Sequence, residues 1–198
     1  CSAVRDATPA AIPVTAKVRL GFDSDTQFEE IAEQALLSGI DELTVHARTK
    51  AQAYRPPAHW RRLQDIVNPL DIPIIANGEI WTPSDLFDCK EQSGCNAFML
   101  ARGALCRPDL ARAVHAYCTG DPIEPMTWPE VSQLLIDFFE ANGALYQRKY
   151  AINPLKQWLV YLQHCYPQAA ALFAQVKRIR DPDDMRHALL GATAAMAA

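Results

Sequence analysis

Short apolar runs alternate with helical patterns over the first 117 positions, and each run closes on a polar group. The runs predict strands near 13–19, 42–46, 72–76 and 97–100. Between the first two, Phe28, Ile31, Ala32, Ala35 and Leu36 recur at the spacing of one helix face, and Gly39 is placed to end that helix. Thr82-Pro83-Ser84-Asp85 supplies a cap, a proline for the first helical position and an acidic residue for the first turn. Pro108 to Tyr117 continues as a further helix. Lys17, His46, Asn77 and Arg102 follow the apolar runs at separations of 29, 31 and 25 positions. That rhythm is the βα unit of a parallel barrel, in which active sites collect at the C-terminal ends of the strands.

The pattern changes near 118–129, where three prolines interrupt the chain and no periodicity survives. Beyond it no strand pattern appears. Thr127-Trp128-Pro129-Glu130 reads as a capping box ahead of Val131, Leu134, Leu135 and Phe138. Further helical patterns cover about 144–165, 168–179 and 182–190, and the alanine-rich end from Ala192 to Ala198 is expected to fray. The organisation read from this is an α/β part over 1–117, a linker over 118–126 and an all-α part over 127–198.

Composition alters this picture only locally. The chain has 198 residues, 49% hydrophobic and 21% charged, as a folded water-soluble protein has. No apolar run approaches a membrane span, and no basic start precedes an apolar stretch as in a secretory signal. The six cysteines form no C-x-x-C pair and no zinc spacing, so reduced thiols of a cytoplasmic protein, and no metal, are expected. Net charge is −4, but it is unevenly spread. Positions 141–180 carry Arg148, Lys149, Lys156, Lys177, Arg178 and Arg180 and no acidic residue. Such a stripe attracts polyanions, and a solvated helix face has the same composition.

The strand ends carry the chemistry. Backbone amides around Gly78 and Gly103 can approach a phosphate closely, because glycine has no Cβ, and Arg102 adds a fork of charged donors. A tight strand-to-loop turn with a surface arginine is the plainer reading of each motif alone. Lys17 suits the pyrimidine edge of a flavin, where a cation stabilises the anionic reduced ring, or else it snorkels from the barrel rim. His46 is a hydrogen-bond partner for a flavin or a substrate, or a satisfied rim histidine.

Lys17-Val18-Arg19-Leu20-Gly21, Val45-His46-Ala47-Arg48-Thr49, Ile75-Ala76-Asn77-Gly78-Glu79-Ile80 and Ala101-Arg102-Gly103-Ala104-Leu105 resemble, in order and spacing, the motifs of tRNA-dihydrouridine synthases. These are flavin-dependent enzymes that reduce uridine in tRNA. Lys156-Gln157-Trp158-Leu159 with Tyr161 is similar to the tRNA-reading helix of the C-type subfamily, which implies uridine 16 of the D-loop as the target. The resemblance implies a TIM (β/α)8 barrel of which this chain holds the C-terminal half, followed by a small helical bundle that binds tRNA.

It also implies roles. Lys17 and His46 would contact the flavin, FMN, with Asn77, Gly78 and Glu79 along its ribityl and phosphate region and Ala101 and Arg102 at the phosphate. Arg19, Tyr54, Lys156, Trp158, Tyr161 and Lys177 would contact tRNA, with Trp158 equally suited to the apolar core beside Leu155, Leu159 and Leu162. NADPH or NADH would be the reductant. The intact enzyme would be cytoplasmic, with no oligomer expected. Ala47 and Ala101 stand where the family pattern has glycines. The cysteine that protonates the uracil ring is expected upstream of Cys1, so no catalytic residue is assigned within this chain. Two alternatives remain: another FMN-dependent barrel resembling dihydroorotate dehydrogenase, and a non-catalytic RNA-binding remnant.

Overall fold

The computed structural model describes residues 1–147 and 150–194. Arg148 and Lys149 of the basic stripe, and the alanine-rich end beyond 194, lie outside the described residues. Two compact units are present, Cys1–Gly103 and Ala104–Ala198.

The first unit opens with helix α1 (Ser2–Ala7) and continues as β1 (Thr15–Arg19), α2 (Phe28–Leu37) and β2 (Glu42–His46). A 3-10 turn (Trp60–Leu63) then leads into the short α3 (Gln64–Val67), followed by β3 (Ile74–Asn77), α4 (Pro83–Ser93) and β4 (Ala97–Met99). Helix α5 (Arg102–Cys106) crosses the division between the units. The four strands are parallel and ordered β1-β2-β3-β4, as the alternation of apolar runs and helical patterns predicts. The third strand starts two residues later than expected. Pro73 has no N–H for the ladder, although its carbonyl still accepts from Leu43 N at 3.0 Å.

Strand register determines which residues line the edge of the sheet. Arg19 pairs with His46, His46 with Asn77 and Asn77 with Met99, so one row of residues closes the C-terminal edge. Residues in register on a parallel sheet project to one face, and positions i and i+2 along a strand share that face. Lys17 and Arg19 are such a pair. Beneath the row the sheet is apolar, with Leu43, Val45 and Ala76 fully buried and Phe28 and Ala32 of α2 packed to the same degree. The ends of α4 are set by side chains. Thr82 and Asp85 form a reciprocal capping box, and Gly94 ends the helix in the left-handed conformation. Arg62 braces the loop after β1 through Asp25 (2.7 Å), Glu29 (2.9 Å) and Asp65.

The second unit is helical among the described residues. It contains α6 (Leu110–Thr119), α7 (Trp128–Leu145), α8 (Asn153–Leu162), α9 (Pro167–Val176) and α10 (Pro182–Ala194). The packing division thus falls upstream of the compositional linker at 118–126, and α6 belongs to this unit. Asp109 holds the linker's end, accepting from Met126 N at 3.3 Å while it pairs with Arg107 at 3.0 Å.

One expected helix is corrected. The pattern over 144–165 is not continuous: α7 ends at Leu145, Tyr146 is extended, and α8 begins at Asn153. Pro154 is the reason, since a proline fits only the first turn of a helix. Val131, Leu135 and Phe139 of α7, Leu155, Leu159 and Leu162 of α8, Leu172 and Val176 of α9 and Met185 of α10 form one apolar core.

Leu159 is fully buried in that core. Leu159→Ala is predicted to cost about 2–5 kcal/mol, the usual range for a buried leucine that leaves a cavity. Urea unfolding followed by helical circular dichroism would measure this; a midpoint equal to wild type would refute the assignment.

Candidate cofactor and substrate site

The last row of the sheet, together with the loops that leave it, gathers an unusual set of side chains. Lys17 is exposed, and its ammonium donates to Asn77 Oδ1 at 3.0 Å. Asn77 in turn donates through Nδ2 to Met99 O at 2.8 Å, so its amide bridges β3 and β4 with a defined orientation. Arg19 donates from one terminal nitrogen to the carbonyls of Thr49 and Ala53, each at 3.0 Å. These bonds shape the loop after β2 and hold up Tyr54. The Tyr54 ring stands 5.4 Å from the Arg19 guanidinium, 4.7 Å from that of Arg102 and 5.8 Å from the His46 ring.

Arg102 also lies over the Trp81 ring, 5.0 Å from its centroid. Trp81 donates its indole N–H to Glu79 Oε1 at 2.7 Å, and the other carboxylate oxygen of Glu79 pairs with Arg48. Arg48 is fully buried. It donates from Nε to Arg55 O at 2.7 Å and places Nη1 3.3 Å from His46 Nε2.

Backbone geometry makes room for this cluster. The bond from Arg48 N to His46 O, 2.6 Å, curls the chain after β2. Ala47 N meanwhile donates to Asn77 O at 3.0 Å, and Ala47 itself is fully buried. Gly78 has φ +118°, and a Cβ there would lie 2.9 Å from His46 Cδ2. Only glycine fits both restrictions. Trp60 donates to Gly78 O at 2.9 Å and fixes this turn from outside. Glu79 follows at φ 59°, a left-handed conformation that turns its carboxylate toward Arg48.

Charge here is strongly one-sided. Lys17, Arg19, Arg48 and Arg102 all act on His46, and Glu79 is the carboxylate paired within the cluster. Burial, then the four cations, lower the His46 pKa from 6.5 to about 4. Partial loss of solvent and the nearby Arg19 also lower that of Lys17, although its side chain is exposed. A site with excess positive charge, amide donors and aromatic faces suits an anionic ligand carrying a flat ring.

Eight residues singled out from sequence meet at this edge: Lys17, Arg19, His46, Tyr54, Asn77, Gly78, Glu79 and Arg102. Ala101 lies exposed just before Arg102. The helical candidates behave differently. Lys156 donates its ammonium to Lys177 O at 3.1 Å and Ile179 O at 2.5 Å, tying α8 to the end of α9. Trp158 is half-buried against Phe138 with ring centroids 5.0 Å apart, and its indole donates to Leu105 O at 2.9 Å. Trp158 thus packs against the apolar core while part of its surface stays accessible. Tyr161 is half-buried, and Lys177, Arg178 and Arg180 are exposed.

Sequence reasoning gave no role to Arg48, Trp60 or Trp81. No periodic signal marks Arg48, which lies past the curled turn that ends β2.

A parallel βα sheet whose strand ends gather a cationic, partly aromatic cluster is the arrangement that barrel proteins use at their C-terminal edge. The family model for dihydrouridine synthase (Dus) matches residues 1–197, and the chain belongs to that family, whose fold is the TIM barrel. The chain is 45% identical over 181 residues to a tRNA-dihydrouridine(16) synthase of Pseudomonas putida, covering 90% of this chain and 55% of that protein. Its identity to the enzyme of the same description from Aquipseudomonas alcaligenes is 43%, over 90% of this chain and 56% of the relative. For that of Escherichia coli it is 41%, over 94% and 58%. The chain thus spans a little over half the length of the curated relatives it matches.

The depressed His46 pKa makes a prediction. The unfolded chain takes up a proton near 6.5, while the folded chain resists it until about 4. His46 therefore contributes a loss of stability as pH falls through that window, and none above it. His46→Gln is predicted to lose less stability than wild type between pH 7 and pH 5. Parallel losses in urea midpoints would contradict this.

Proposed function

We propose that this chain is the C-terminal portion of a flavin-dependent tRNA-dihydrouridine synthase of the C-type subfamily. In this reading it comprises the second half of the barrel, a linker over 118–126 and a helical tRNA-binding part over 127–198. The observation that carries the reading is the meeting of Lys17, Arg19, His46, Asn77 and Arg102 at one sheet edge. The likeness to enzymes described as acting at position 16 supports uridine 16 as the target. The intact enzyme would work in the cytoplasm. Among the described residues no helix is long and apolar enough to cross a membrane.

The donor set fits FMN. Excess positive charge suits a phosphate, the narrow turn at Gly78 lets backbone approach it, and Lys17 and His46 offer donors for ring oxygens and nitrogens. When bound and reduced by NADPH or NADH, FMN would supply hydride to the uracil ring. Asn77 orients the Lys17 ammonium, and Glu79 restrains Arg48 and Trp81, whose ring packs on Arg102. Tyr54, exposed between two arginines, offers a face on which a base can stack, and Arg19 shapes its loop. The ring's proton donor is assigned to the part of the enzyme that lies outside this chain.

In the intact enzyme, Arg102→Ala is predicted to weaken FMN binding roughly ten- to a hundredfold, as expected when a charge-assisted hydrogen bond is removed. Lys17→Ala is predicted to retain flavin and slow its reoxidation by tRNA. Flavin titration and stopped-flow absorbance of both variants test this; equal losses of affinity would refute the division of roles.

The helical unit makes a separate prediction. Lys177 and Arg178 are exposed, whereas Lys156 is engaged with backbone carbonyls. Lys177→Gln with Arg178→Gln is predicted to flatten the salt dependence of tRNA binding by about one unit of log–log slope for each phosphate no longer neutralised. Lys156→Gln is predicted to lower stability instead. An unchanged slope for the double variant would remove the charge argument for RNA binding here.

A further inference from the structure

We propose that Arg48 is a positioning residue that fixes His46 as its neutral Nδ1–H tautomer, so that the imidazole meets a ligand only as a hydrogen-bond donor. A guanidinium has N–H donors and no acceptor. Arg48 Nη1 lies 3.3 Å from His46 Nε2. A proton on Nε2 would set two N–H groups against each other, so Nε2 presents its lone pair and the single ring proton resides on Nδ1.

Arg48 cannot move aside. It is fully buried, its Nε is held by Arg55 O at 2.7 Å and its remaining terminal nitrogen by Glu79. The imidazole is held as well. Gly78 fits closely under its Cδ2 edge, and Tyr54 covers it at 5.8 Å. Turning the ring over would bring a C–H toward the arginine in place of the acceptor nitrogen. Among the described residues no hydrogen bond engages Nδ1.

Every charged group that acts on the ring favours the neutral form. Lys17 and Arg19 from β1, Arg48 from its own loop and Arg102 after β4 are all cations, in keeping with the pKa of about 4. Glu79 is paired with Arg48, and Tyr54 supplies a ring face. A neutral imidazole with its proton on Nδ1 has no acidic proton to give at neutral pH. It can donate a hydrogen bond to a carbonyl oxygen or to an anionic ring. His46 is therefore a donor to such a group and not the proton source of a reduction. The ligand part of this inference rests on the flavin reading; the tautomer does not.

The test is a long-range proton–nitrogen correlation spectrum of the 15N-labelled chain at pH 7 and pH 5. The expected result for His46 is an unprotonated, acceptor-type Nε2 and a protonated Nδ1 at both values. Glu79→Gln, which keeps the Arg48–His46 pair, is expected to preserve that pattern. Arg48→Lys, whose single ammonium cannot serve Arg55, His46 and Glu79 together, is expected to move the ring toward the Nε2–H form. A protonated Nε2 in the wild-type chain, an imidazolium at pH 5, or a folded Arg48→Lys chain with an unchanged pattern would overturn the proposal. If Arg48→Lys does not fold, the wild-type and Glu79→Gln spectra decide. Titration of FMN into the intact enzyme is expected to shift the Nδ1–H proton and leave the tautomer in place. Absence of that shift with the tautomer intact would count against the flavin reading alone.

Discussion

The crowding of positive charge at the last row of the sheet is the constraint on which the rest of the site depends. Four cations act on one histidine, and the counter-charge built into the cluster comes from Glu79. Left alone, such a group would repel itself and draw in water. The fold manages it by burying one guanidinium completely and giving it a carboxylate, a backbone carbonyl and an imidazole nitrogen. A buried ion pair adds little net stability against its desolvation cost, but removing one partner from it is expensive. The pair therefore serves geometry: it locks His46, Glu79 and Trp81 into one arrangement around the remaining cations.

Much of this was legible in the sequence because a parallel sheet has simple rules. Strand period two, register and the βα rhythm place Lys17, Arg19, His46 and Asn77 on one face at one edge. The capping boxes at Thr82 and Thr127 announced their helices through residue types whose side chains close the first turn. Arg48 was not legible, since arginine is almost never fully buried and its partners lie seven and 31 residues away in the chain. The helix expected over 144–165 failed at Pro154, a local signal outweighed by the periodicity around it.

The helical unit shows how charge counting misleads at single residues. Lys156 belongs to the acid-free stretch, yet its ammonium ties the end of α9 to α8, in the manner of a cation placed at a helix C-terminus. Its contribution to a basic surface is then indirect, through the placement of the exposed Lys177 and Arg178 turn. Trp158 likewise takes part in packing: its ring meets Phe138, and its N–H donates to Leu105 O. The charge that this unit leaves exposed is carried by Lys177, Arg178 and Arg180.

The central claim is that this strand-end cluster belongs to an enzyme that reduces one uridine of tRNA. The most direct measurement is to incubate the intact enzyme with unmodified tRNA and NADPH, and to map dihydrouridine at every uridine by reverse-transcription stops. The account predicts product at position 16 and at no other. Absence of dihydrouridine from an enzyme that holds its flavin, or product at a different position, would contradict it.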